Sequence, residues 1–349
     1  MEYHKGKGAQ INVPNRFIKQ FISTEDVDGQ DEELLLSKPK TEIFYESPKK
    51  IISYNSSPDI KMDASVNPYQ GCEHGCVYCY ARNSNEYWGF SAGLDFESKI
   101  IVKKDAPRLL ERAFLSPSYR PQTIMLSGNT DCYQPLEKKF EITREILRTC
   151  LKFMHPIAIV TKNSLVLRDV DVLKKLADEN LVQVIFSITS QDESLRRLLE
   201  PRTASAKKKF EAIKMLSAEG IPTGIMNAPI IPSLNHHEIP SILEEAAVNG
   251  ASFAGYTVVR LNGAVGTIFS DWLHKNFPDR AEKVWNQIQE LHNGKVNDSE
   301  FGKRISGEGK ISEIINQLFK VARRKHFSQL EPVRLDCTKF RKGGNYRLF

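Results

Sequence analysis

At 349 residues, with 40% hydrophobic and 26% charged side chains, the chain suits one large α/β domain with an extension at each end, or two smaller domains. The 49 Lys and Arg against 43 Asp and Glu give a net charge of +6, a weak bias toward anionic partners that does not by itself show nucleic-acid binding. No run of eighteen apolar residues predicts a membrane span, MEYHKGKGAQ lacks the apolar core of a secretory signal, and six cysteines read as thiols or metal ligands rather than disulfides; together these predict a cytoplasmic protein.

Residues 1–62 are polar, carry the acidic run Glu25 to Glu33, and show short apolar bursts at Leu34–Leu36 and Ile43–Tyr45. They read as an N-terminal extension, mobile at first and later packed on the main domain, with Pro48–Tyr54 as a short strand or cover. From Asp63 the pattern becomes strand, loop, helix, repeated. Ser65–Pro68 is a first strand leading into Gly71–Tyr80, GCEHGCVYCY. There Cys72, Cys76 and Cys79 stand at C-x3-C-x2-C spacing, with Gly71 and Gly75 permitting the tight backbone such a loop needs. Three thiols suit three corners of a four-iron cluster and leave one iron open, whereas a closed structural zinc site wants four protein ligands. His74 is the alternative fourth ligand, in a Cys3His zinc knot.

Downstream, helices are predicted at Ala106–Phe114, Lys138–Leu151, from Asp169, at Glu193–Leu199, Ala206–Ala218 and His237–Val248. Strands are predicted at Thr123–Leu126, Ile157–Thr161, Val182–Ile188, Pro222–Asn227 and Ala254–Arg260. Six strands alternating with helices at crossover spacing predict a partial (β/α)6 barrel of the TIM type over 63–262. Beyond Asn262 that pattern breaks, and 263–349 reads as a helical, basic C-terminal extension. From Val321, Arg323, Arg324, Lys325, Arg334, Lys339, Arg341, Lys342 and Arg347 face only Glu331 and Asp336, which reads as a solvated tail or a phosphate-binding strip.

Reactive groups in parallel barrels sit on the loops after the strands. Those positions offer Asp131 after the second strand, Lys162 after the third, Ser187 to Thr189 after the fourth, Arg202 further on, Ala228 within an apolar ledge after the fifth, and Arg260 after the sixth, as substrate contact or salt-bridged rim. Cys132, Tyr133 and Tyr80 are candidate hydrogen donors near the expected mouth, which Tyr87 and Trp88 would also line; a buried thiol or an aromatic wall is the other reading of each.

The cysteine loop, with Tyr78 just before its last thiol, resembles the signature of radical S-adenosylmethionine (SAM) enzymes, and TDCYQPLE, TK, SIT and APIIP at the successive strand ends are similar to the spore photoproduct lyase-like branch, over about 63 to 262. The resemblance implies a [4Fe–4S] cluster on Cys72, Cys76 and Cys79 whose open iron chelates SAM. It also implies reductive cleavage to a 5′-deoxyadenosyl radical and an electron donor such as flavodoxin or ferredoxin. Asp131, Lys162, Ser187 and Ala228 would contact SAM, Tyr78 would help hold the adenine, and Arg202 would add a cation. The lyase proper carries a hydrogen-returning cysteine three residues before the matching aspartate. This chain has Gly128 there, a departure that weakens the implication of photolesion repair. The alternatives are a DNA-lesion lyase of the same chemistry and a zinc-stabilised, non-catalytic binding protein.

Overall fold

The computed structural model describes residues 4–17, 41–59, 63–328 and 333–344. The acidic run Glu25–Glu33, the burst Leu34–Leu36, Glu331 and Arg347 lie outside the described residues. Ten strands occur in chain order: β1 Glu42–Tyr45, β2 Ile52–Tyr54, β3 Ala64–Val66, β4 Tyr69–Gln70, β5 Lys99–Val102, β6 Ile124–Leu126, β7 Ile157–Thr161, β8 Val182–Ser187, β9 Thr223–Ile230 and β10 Phe253–Val258.

Six of them, β3, β6, β7, β8, β9 and β10, pair in that order and all in parallel, and β2 adds antiparallel to β3. The sheet stays open, with β2 and β10 at opposite edges. The runs IAIVT and VQVIFS in its middle are apolar on both faces, as strands covered on both sides must be. Helices fill the crossovers, and their inner stripes join the strands in one core: Leu110 and Phe114, Ile146 and Leu147, Leu173 and Leu176, Phe210 and Ile213, Ile242 and Leu243. Among the described residues no helix is long and apolar enough to cross a membrane.

Three local departures from the sequence expectation have physical causes. The helix expected over 138–151 is two pieces, Glu137–Phe140 and Ile142–Lys152, separated by Glu141 at φ 53°. Buried Glu137 accepts the Thr143 amide that the break frees, so the interruption leaves no orphaned donor there. The fifth parallel strand runs on to Ile230 rather than stopping at Asn227, keeping its pairing with β10 through a register shift. A second sheet, β1-β5-β4, was not anticipated; its strands are two to four residues long, and their partners are remote in sequence.

The N-terminal segment is also more ordered than expected. Lys7, Ala9 and Gln10 are buried, and Gly8 passes so close to the cysteine loop that a Cβ there would lie 1.6 Å from the Gly75 carbonyl oxygen. At the other end, the helices Ala264–Asn276 and Ala281–Leu291 pack Val265, Phe269, Trp272 and Val284 into one apolar cluster with Ala9, Val77 and Tyr78. The helix Gly309–Phe327 covers the β10 edge, with Phe319 4.6 Å from Tyr256 between ring centres.

Candidate active site

The cysteine loop leaves β4 at Gly71, whose φ of 78° and crowded surroundings exclude a side chain: a Cβ would lie 2.7 Å from the Lys99 carbonyl. Backbone bonds then pin the loop at both ends, from the Cys72 amide to the Phe96 carbonyl (2.9 Å) and from the Val77 amide to the Leu199 carbonyl (3.0 Å). Arg82, wholly buried, donates to the carbonyls of Cys76, Ala92 and Gly93 and pairs with equally buried Glu97. Glu97 in turn accepts the amides of Gly8 (3.0 Å) and Ala9 (2.7 Å), tying residues 7–10 over the loop as a strap.

Within this enclosure Cys72, Cys76 and Cys79 are free thiols near enough to act on one another's charge. Burial raises Cys76 far above an ordinary thiol and Cys79 to about 11. Bare thiolates are therefore disfavoured there, and a cationic metal centre supplies the charge that would deprotonate them. Among the described residues no three His, Cys, Asp or Glu side chains converge as ligands of one ion. A single zinc draws its sulfurs to about 2.3 Å from one point, whereas a cuboidal cluster binds each thiolate on a different iron and tolerates a wider spread. The donor set fits a cluster. Of the loop's other possible ligands, Glu73 accepts from Thr41 and Arg202, and His74 faces Asp131 as well as Cys72. Its Nδ1 lies 3.3 Å from Asp131 Oδ2. Burial alone would lower its pKa, but Asp131 and Cys72 outweigh that and hold it near 10.

Beside the loop lies a second buried cluster at the ends of β7, β8 and β9. Lys162 Nζ donates to Ser187 Oγ (2.8 Å), Glu200 Oε1 (2.9 Å) and, at longer range, Thr189 Oγ1 (3.4 Å) and the Ala228 carbonyl (3.5 Å). Tyr78 turns its hydroxyl to Thr189 (3.0 Å) and Glu200, and its ring centre is 5.6 Å from Lys162 Nζ. Four residues singled out from sequence, Tyr78, Lys162, Ser187 and Ala228, thus meet in one place. Asp131 joins them through the backbone: its carboxylate accepts the amides of Lys162 (2.7 Å) and Tyr133 (2.8 Å) and the Thr161 hydroxyl (2.9 Å). Arg202 stands apart, its amide on the His74 carbonyl and its guanidinium on Glu73 (3.2 Å), beside a surface depression that Lys138 and Lys139 also line.

The residue that sequence reasoning passed over is Glu200. Fully buried, it receives Lys162, Lys209, Tyr78, Thr189 and Thr203. Burial would raise its pKa, but Lys162 and then Lys209 pull it well below the carboxylate range. The signal was present in LLEP, a carboxylate set between apolar residues and a proline, but the guanidinium of Arg202 two positions on is the more conspicuous charge. Cys132 and Tyr133 need correction as mouth residues. Both are wholly buried in the main core, and the Tyr133 hydroxyl donates to Asp169 (3.0 Å). The turn at Ser127, with φ 76°, and the Ser127 hydroxyl on the Cys132 amide direct the chain inward there. Tyr80 does face the mouth, and Tyr87 and Trp88 are exposed, Tyr87 lying 5.0 Å from Phe17 between ring centres.

An open sheet of parallel strands with a three-cysteine loop and a buried cation cluster at its C-terminal end defines a cofactor-dependent α/β enzyme. The sequence profile described as the Radical SAM superfamily matches residues 66–246, and the chain belongs to that superfamily. Its members use a [4Fe–4S] cluster and SAM. An uncharacterised protein of Methanocaldococcus jannaschii is 30% identical over 249 residues, 71% of this chain and 88% of that one. An uncharacterised protein of Mycobacterium tuberculosis strain H37Rv is 30% identical over 221 residues, covering 63% of this chain and 65% of the mycobacterial protein's own length. In fold, the chain is similar to spore photoproduct lyase complexed with dinucleoside spore photoproduct, with TM-score 0.60, 14% identity, and coverage of 82% of this chain and 79% of that one.

Proposed function

We propose that Cys72, Cys76 and Cys79 hold the [4Fe–4S] cluster, and that Tyr78, Asp131, Lys162, Ser187 and Ala228 form the SAM side of the site. Arg202 steadies the loop through Glu73. The observation that carries this reading is the pair of neighbouring clusters: three thiols of one loop near enough to act on one another's charge, beside a largely buried lysine fixed by wholly buried Glu200. When bound there, the cluster and SAM would together supply one-electron reductive cleavage of the sulfonium, the family's source of a 5′-deoxyadenosyl radical for hydrogen abstraction. The chain's own residues bind, orient and exclude water. Lys162 offers a cation to a carboxylate, the Ser187 hydroxyl and Ala228 carbonyl offer polar contacts, and the Tyr78 ring offers an apolar face. A one-electron carrier of the flavodoxin or ferredoxin type would supply the reductant.

The test is anaerobic reconstitution with iron and sulfide. About four irons per chain and a reduced-state electron paramagnetic resonance signal that shifts on adding SAM are expected, with both lost in Cys76→Ala. A signal indifferent to SAM in a fully loaded, reduced preparation overturns the proposal. The zinc-stabilised alternative has less support, because His74 Nδ1 stands at ion-pair distance from Asp131, an arrangement that favours a protonated, non-ligating imidazole.

A second reading, that the substrate is nucleic acid, is favoured by one feature. The helix Gly309–Phe327 turns Lys320, Arg323 and Arg324 outward around a shallow depression, a surface suited to phosphates.

A further inference from the structure

The end of the sixth parallel strand carries a charge with no ion-pair partner in direct contact. Arg260 stands two residues beyond β10, and among the described residues no carboxylate lies within ion-pair distance of it. Its one hydrogen bond is long, from Nη2 to the Asp298 carbonyl at 3.4 Å, and its Nε is sealed from water without an acceptor. The nearby charges are otherwise engaged. Asp59 is taken by Arg304 at 2.5 Å and by the Gly302 amide, and Asp298 accepts the Glu300 amide. Burial and then Arg304 act against the Arg260 charge, while Asp59 and Asp298 favour it from beyond ion-pair distance. A guanidinium keeps its proton under these conditions, so a half-buried cation whose Nε is sealed without an acceptor is a cost to the fold.

Two more unsatisfied groups lie on segments that meet next to Arg260 in the chain. Asn262 and Asn297 each bury a side-chain carbonyl oxygen with no donor. The Leu261 amide bonded to the Val296 carbonyl at 2.9 Å brings their two segments together. Tyr80 links this spot to the cysteine loop. It follows Cys79 directly, its phenol feels both Cys79 and Arg260, and its hydroxyl donates to the Gly128 carbonyl at 2.6 Å. Tyr80 is 56% exposed.

We propose that Arg260, with Asn262 and Asn297, forms a substrate-anchoring subsite that takes an oxyanion, phosphate or carboxylate, on the guanidinium and a neighbouring donor group on the two amide oxygens. A guanidinium presents parallel N–H groups matched to both oxyanions, and Nε is one of the groups free to use. The bound molecule would lie across Tyr80, next to the cysteine loop. That this molecule is the substrate rests on the radical SAM reading of the loop; the anion site itself does not.

The experiment is calorimetric titration of the cluster-loaded protein, under nitrogen, with inorganic phosphate, dimethyl phosphate and acetate, each against chloride at matched ionic strength. At least one should saturate at one per chain, and R260Q should weaken it tenfold or more. R260K should weaken it less, and R148Q, on the exposed face of the helix Ile142–Lys152 where Arg148 pairs with Glu145, should bind as the wild type does. Preference for phosphate, dimethyl phosphate or acetate assigns the source as a phosphomonoester, a phosphodiester or a carboxylate. No saturable binding of any of the three by the wild-type protein, or equal affinity in R260Q and R260K, overturns the proposal. The SAM-induced signal shift of the wild-type cluster is scored separately. If that shift is absent while anion binding persists, the reading of the loop fails and the subsite stands.

Discussion

Glu200 receives two lysines, two hydroxyls of the Tyr78–Thr189 pair and the Thr203 hydroxyl inside a site closed to water. Glu200→Gln keeps the shape but leaves Lys162 and Lys209 buried without an anion. A loss of about 3–5 kcal/mol is expected in denaturant unfolding, with Lys209→Met restoring part of it and SAM affinity remaining low because Lys162 is no longer held. An unchanged midpoint would mean that the lysines find other partners. A second residue-scale prediction concerns His155, buried against Phe114 (4.3 Å between ring centres) and bonded to the Tyr119 hydroxyl. Burial depresses its pKa to about 3, against a weaker opposing bond from the Pro156 backbone. The unfolded chain, with an ordinary histidine, then binds the extra proton first. This contribution is complete above about pH 6.5 and falls as pH drops toward 3, by about 2 kcal/mol between pH 7 and 5. His155→Gln should flatten that part of the stability–pH curve. The cysteines, Lys162, Ser187 and Ala228 were legible because each sits at a fixed offset from a strand end that the apolar pattern marks. Arg260 was picked out in the same way, as a substrate contact or a salt-bridged rim, but its lack of an ion-pair partner was not readable, and Glu200 was missed, because the partners a charge has or lacks arrive from elsewhere in the chain.

At the scale of elements, the parallel strands announced themselves through runs such as VQVIFS, short and apolar on both faces in the manner of a strand covered by helices on either side. The sheet β1-β5-β4 left no such trace, since a two-residue strand has no period to read. The break at Glu141 was equally hidden, because the stripe of Phe140, Ile146, Leu147 and Cys150 reads across it, and the freed Thr143 amide is accepted by the buried Glu137 carboxylate. The strap over the cysteine loop gives the prediction that belongs here. In Gly8→Val a side chain must occupy space held by the Gly75 carbonyl, so residues 7–10 lift and Glu97 loses two amide donors. The reconstituted protein should lose its visible colour in air several-fold faster than wild type, followed by absorbance. Equal bleaching rates would show that the strap does not shield the site.

For the molecule as a whole, the open sheet leaves an edge at β10, and the helix Gly309–Phe327 closes it with Ile315, Phe319 and Ala322 while turning its basic face outward. If that face binds nucleic acid, log affinity for a DNA duplex should fall against log salt with a slope of about −3, one unit for each of three phosphate contacts, and Arg323→Gln with Arg324→Gln should remove about two of those units. Absence of binding at low salt ends that reading. The strap carries a further implication about time. Residues 7–10 are made before either of their anchors, Gly75 and Glu97, so the growing chain presents its thiols bare, and iron can be delivered before the peptide shuts over them. Rebuilding a damaged centre in the finished protein requires that peptide to lift first, and reloading of native apoprotein should accordingly be slower than loading during refolding.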